Sequence, residues 1–162
     1  MKIEESSIVE TNDYRVIIYP ASRPFSPKEA KDIAERLYEF LSTWAAHGKP
    51  LEASFKIEKN QFIIICVDEE KEVASGCSID ALGKVMRELD AEFQLGLFDR
   101  MKASYVENGE VKTLKLADFK SKIRSGELSK DIEVFDFSKN TYLDFLSHFL
   151  QPFSRSWAAS IS

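Results

Sequence analysis

The chain is short of cysteine, histidine and glycine and has no long apolar run, and each shortage excludes a class of protein. Cys66 and Cys77 are its only cysteines, too few for a disulfide framework. A reducing, cytoplasmic setting is therefore expected. The longest apolar run, FIIICV, covers only residues 62–67 and is far too short for a membrane span. No membrane insertion is expected. The opening MKIEESSIVE lacks the apolar core of a signal peptide. With 22 Lys and Arg against 27 Asp and Glu, the net charge is −5, so no global basic field exists to hold nucleic acid.

Metal ligands are equally sparse. Neither cysteine has a cysteine or histidine partner at zinc-like spacing, and His148 lies in an apolar segment. Asp68, Glu69 and Glu70 lack the spaced ligands of a calcium loop. No metal and no cofactor is expected. A nucleotide-binding Walker loop needs Gly, four residues, then Gly-Lys-Ser/Thr, so that amides and the lysine surround the phosphates. Gly48-Lys49 is followed by Pro50, with Thr43 where the first glycine belongs. Gly83-Lys84 is followed by Val85, with Ser78 at that position. Both fail, and no dinucleotide-binding glycine fingerprint exists.

What remains is ordinary globular composition, 44% hydrophobic and 30% charged, on 162 residues. One domain is expected, with a core over about residues 12–107 and a C-terminal extension over about 108–162. YRVIIYP (14–20) reads as a strand ending at a proline. Ser26, Pro27 and Glu29 form a capping box with proline at the first helical position. Ala30, Ile33, Leu37, Leu41 and Trp44 continue as a helical stripe towards Gly48.

LEASFKIE alternates with period two, and QFIIICV follows after a turn, predicting a hairpin. A second amphipathic helix is expected from about Ile79. KASYVENGEVKTLKL reads as two strands around Asn108-Gly109. ADFKSKIRSG predicts a short helix stopped at Gly126, IEVFDF a strand, and NTYLDFLSHFL a last helix ending near Pro152. The predicted class is α+β. The order β-α-β-β-α-β predicts a ferredoxin-like antiparallel sheet with both helices on one face, extended by the second hairpin and a C-terminal α-β-α layer.

Several segments, WAAHGKPL, FIIICVDE, ASGCSID and LFDR, occur in this order on a chain of this length. In them the chain resembles a family of small uncharacterised bacterial proteins that often carry an automatic label of ABC-transporter ATPase. The resemblance spans most of the chain and implies no established activity. ASGCS is also faintly similar to the ABC signature loop Leu-Ser-Gly-Gly-Gln, of which only Ser75 and Gly76 carry over. With no Walker loop, the label does not extend to ATP hydrolysis by this chain alone.

Three functional readings rest on these residues. Cys77, just before the second helix, is placed where the helix dipole favours a thiolate. With His47 as base and Asp68 or Asp80 orienting it, Cys77 would be a nucleophile or thiol switch. The competing reading packs Cys77 as a small apolar residue, as Cys66 within its strand is expected to do, and has His47 cap carbonyls beside Gly48. Second, Ser75, Gly76, Cys77 and Ser78 at a helix start suit a small anion, with Arg23 and Arg100 as candidate counter-charges. Plain N-capping and a sharp turn explain the same residues. Third, Phe135, Phe137, Tyr142, Phe145, Phe149, Phe153 and Trp157 crowd the C-terminus. They suit self-association, as in a homodimer, or a protein partner, the alternative being a helix packed across the sheet. The leading expectation is a non-enzymatic binding protein.

Overall fold

The computed structural model describes residues 13–161; the MKIEESSIVE stretch lies outside the described residues. Strand β1 (Arg15–Pro20) leads to helix α1 (Pro27–Ser42). The capping box forms as the sequence predicts: Glu29 N–H donates to Ser26 Oγ at 3.1 Å and Ser26 N–H to Glu29 Oε1 at 2.8 Å. The helix stops earlier than the Gly48 boundary, at cap Thr43. Trp44 leaves the helix and turns inward, where its Nε1 donates to the Ser78 carbonyl at 2.8 Å. Residues 45–50 then form a small hairpin, β2 (Ala45–Ala46) and β3 (Lys49–Pro50), around His47 and Gly48, both left-handed.

Strand β4 (Glu52–Glu58) pairs with β5 (Phe62–Asp68) through the left-handed turn residues Lys59 and Asn60. Helix α2 (Gly76–Phe93) follows, three residues ahead of the expected start. Asn108 and Gly109 close β6 (Lys102–Glu107) onto β7 (Glu110–Lys115), both with positive φ as a type I′ turn requires. Helix α3 (Leu116–Ser125) ends on left-handed Gly126. Strand β8 (Glu133–Phe135), helix α4 (Tyr142–His148), strand β9 (Leu150–Pro152) and two 3₁₀ turns complete the chain.

The class is α+β. The first sheet runs β1-β5-β4, all antiparallel, so β5 sits between β1 and β4 as in a split βαβ unit. The ferredoxin-like closure goes no further. A fourth strand would have to lie on the free edge of β1, but segment 140–142 holds that edge. Val16 N–H donates to the Asn140 carbonyl, and Tyr142 N–H donates to the Tyr14 carbonyl. Strand β6 instead founds a second sheet, ordered β7-β6-β8-β9. The second hairpin therefore does not extend the first sheet.

Period-two alternation in β5 splits the interior. Ile63, Ile65 and Val67 pack with Ile33, Leu37, Leu82, Met86 and Leu89, so α1 and α2 cover one face, as expected. Phe62, Ile64 and Cys66 face the other way and meet Phe135, Tyr142, Phe145 and Phe149. Buried on both faces, β5 reads as an unbroken apolar run for that reason. A third cluster joins Phe119 and Ile123 of α3 to Val134 and Phe153. The C-terminal rings are thus mostly core. Phe145 and Phe149 enter one cluster and Phe153, beyond Pro152, enters another.

Candidate functional site

The ASGCSID segment opens α2, and its chemistry is governed by the cap. Ser75 is the N-cap, accepting the Ser78 N–H at 3.1 Å, while the Ser78 hydroxyl donates to the Ser75 carbonyl at 2.8 Å. Gly76 has no positive φ and is simply the first helical residue, not a sharp turn. Ser78 is buried and Cys77 exposed. One residue earlier, Glu69 Oε2 accepts the Ala74 N–H at 2.8 Å, so a carboxylate already stands at this helix entry. Asp68 ends β5, Glu70 and Glu72 lie in the loop that follows, and their charge opposes a second anion.

Trp44 brings the end of α1 to the start of α2, which sequence could not decide. It does not complete a catalytic group. His47 is exposed at the tip of the β2–β3 turn and does not close α1, because the chain has already left the helix at Thr43. Among the described residues no hydrogen bond links Cys77 to His47, Asp68 or Asp80. Asp68 accepts the Glu70 N–H at 3.1 Å, and Asp80 is exposed. Cys66 is buried in β5, as expected.

The two arginines lie at the other end of α2. Arg23 donates to both Glu29 carboxylate oxygens at 2.8 Å and to the Phe93 carbonyl at 2.5 Å. It therefore ties the start of α1 to the end of α2. Arg100 is exposed in the loop after α2. An 18-residue helix is about 27 Å long, so neither arginine shares a site with residues 75–78. Arg23 and Ser26 together hold the Glu29 carboxyl down to about 2.

Sequence gave no signal for Lys102. It is 7% exposed, and its ammonium donates to the Pro20 carbonyl at 2.5 Å, the Gly96 carbonyl at 2.6 Å and Ser22 Oγ at 3.1 Å. Burial lowers its pKa to about 8, against the weaker pull of Asp99 and Asp90. Three satisfied donors make it a strut between the loops after β1 and α2 and the second sheet.

No family model, curated protein or solved structure matches this chain. The described residues contain no cluster of three or more metal-ligating side chains, and among them no helix is long and apolar enough to cross a membrane.

At the C-terminus the rings turn inward and leucines turn outward. Leu143 and Leu146 of α4 are 49% and 54% exposed, three residues apart on one helical stripe. Beside them lies an open hollow of about 330 Å³ floored by Phe135, Phe145 and Phe149 and rimmed by Lys56, Glu58 and Lys59. Lys56 lies 5.8 Å from the Phe145 ring centre. Trp157, also partly exposed, has its N–H bound to the Phe135 carbonyl at 2.9 Å.

Proposed function

We propose that the protein is a non-enzymatic interaction protein that associates with a second copy of itself through α4 and the adjoining hollow. The observation that carries this reading is the half-exposed Leu143 and Leu146 pair beside an aromatic-floored hollow. Such a face offers both a projection and a recess, which a two-fold axis can match to each other. Charge supports the same pairing. Asp144, next to Leu143, is bound within its own chain to His148 at 2.7 Å and lies 3.5 Å from Lys139, yet its carboxylate side chain stays 42% exposed, and exposed Lys59 on the hollow's rim is positive. Across a two-fold axis each Asp144 would face the other copy's Lys59, favouring correct docking.

The test is charge reversal read by sedimentation velocity. Asp144→Lys and Lys59→Glu should each weaken association, and the double variant should restore it. Weakening by both single changes without rescue would overturn this pairing, as would no effect from either. The resemblance to the small bacterial family adds no activity to this reading.

The exposure of Cys77 in the first turn of α2 favours a second reading, a thiol switch without His47. Alkylation rates measured across pH test it. Reactivity retained well below the pH of a free cysteine would support it, and ordinary reactivity would remove it.

A further inference from the structure

The second sheet has an open edge at β7, at the opposite side of that sheet from β9. The register decides which backbone groups are free there. Glu107 pairs with Glu110 across a two-residue turn, so Glu110, Lys112 and Leu114 bond inward to β6. The N–H and C=O groups of Val111 and Thr113 then point away from β6, and among the described residues no backbone partner meets them. A cleft of about 550 Å³ wraps this edge and is lined by four consecutive β7 residues, 111–114. Ser22–Pro24 and Gln61 wall it on one side, and Tyr105, Lys122 and Leu128 on the other.

Two further observations define what fits. Gln61 is only 1% exposed, and its Nε2 donates to the Ala21 carbonyl at 3.0 Å and to Thr113 Oγ1 at 2.7 Å. With so little of it exposed, Gln61 fixes β7 to the loop after β1 and sets the position of this wall. The cations here already have carboxylates. Lys112 binds Glu107 at 2.9 Å, Lys122 lies 3.6 Å from Glu127, and Arg23 is held by Glu29. The unfilled groups are therefore neutral: main-chain donors and acceptors at strand spacing.

We propose that this cleft takes one extended polypeptide segment of a partner protein, which adds to β7 as a further strand. Main-chain bonds to Val111 and Thr113 hold it. Alternate side chains face the two walls. Lys112 and Lys115 flank the edge, and charged edge residues disfavour pairing between two copies of β7.

The probe is the best binder selected from a displayed library of seven-residue linear peptides, synthesised and titrated by calorimetry against the full chain. Val111→Pro removes one outward N–H and leaves the β6 ladder intact, a change edge strands tolerate. It should weaken binding about tenfold, the scale of one main-chain bond. Should that variant fail to fold, N-methylation of the peptide at successive residues gives the same information. Loss on alternate residues only is the expected result. Failure to select any binder, equal tolerance of methylation at every residue, or β7-to-β7 crosslinking between copies would each overturn the proposal.

Discussion

Gly96 and Ser22 approach so closely that a β-carbon on residue 96 would stand 2.4 Å from the Ser22 hydroxyl oxygen. Ser22 N–H also donates to the Leu95 carbonyl at 2.7 Å, so the two loops are joined as well as crowded. Gly96 has φ +73°, a conformation that favours glycine on its own account. Gly96→Ala combines that strain with displacement of the hydroxyl that accepts from Lys102. The expected loss is about 2–4 kcal/mol of stability, read as a lower urea midpoint. An unchanged midpoint would mean that the loops do not hold each other in this way.

Lys102 gives a pH signature opposite to that of a salt-bridged lysine. Its folded pKa is about 8, below the ordinary lysine value, so between about pH 8 and 10.5 the unfolded chain binds the extra proton. Stability therefore rises with pH through that window as far as this residue is concerned. Relative to Lys102→Met, the native protein should gain up to about 3 kcal/mol between pH 7 and 10. Urea titrations of both proteins at the two pH values measure the difference.

Arg23 and Glu29 carry the acid limb. The Glu29 carboxyl is held at about 2, so its contribution is complete above the ordinary carboxylate pKa and is lost as pH falls towards 2. Arg23→Ala removes the clamp on Glu29 and the bond to the Phe93 carbonyl. We expect about 1–2 kcal/mol of destabilisation at pH 7, shrinking as pH falls towards 2 to the part carried by the Phe93 carbonyl bond, which does not titrate. Thermal unfolding across that range is the check, and a penalty that does not change with pH would contradict it.

The parts of the fold legible in sequence are those fixed by neighbouring residues. The Ser26-Pro27-Glu29 box, the Asn108-Gly109 turn, Gly126 as a helix stop and the alternation of β4 all act within a few positions. Distant contacts decided the rest. Trp44 fits the helical stripe of α1, and only its bond to the Ser78 carbonyl explains why the chain leaves the helix before it. Nothing near β6 announces that segment 140–142 has taken the edge of β1, so the fourth ferredoxin-like strand could not be ruled out locally.

The candidate site was legible to the same extent. Serine capping follows from local preference and is observed at Ser75. Whether Arg23 serves a ligand or a carboxylate depends on Glu29 and on Phe93, 70 residues away. Lys102 is the clearest omission, because a lysine in a strand reads as surface until the oxygens of Pro20, Ser22 and Gly96 are seen to converge on it. Likewise the aromatic C-terminus reads equally as an interface or as a helix packed across the sheet. Three-dimensional packing buries most of its rings and leaves Leu143 and Leu146 outside.

The central claim, association through α4, is tested most directly by sedimentation velocity on the native protein and the Leu143→Asp/Leu146→Asp variant. Both leucines are already half solvent-exposed, so the variant should keep its helical circular dichroism and thermal midpoint. The account predicts a concentration-dependent dimer for the native chain and a monomer for the variant. A native protein that stays monomeric from micromolar to millimolar concentration, or a variant that dimerises equally well, would contradict it.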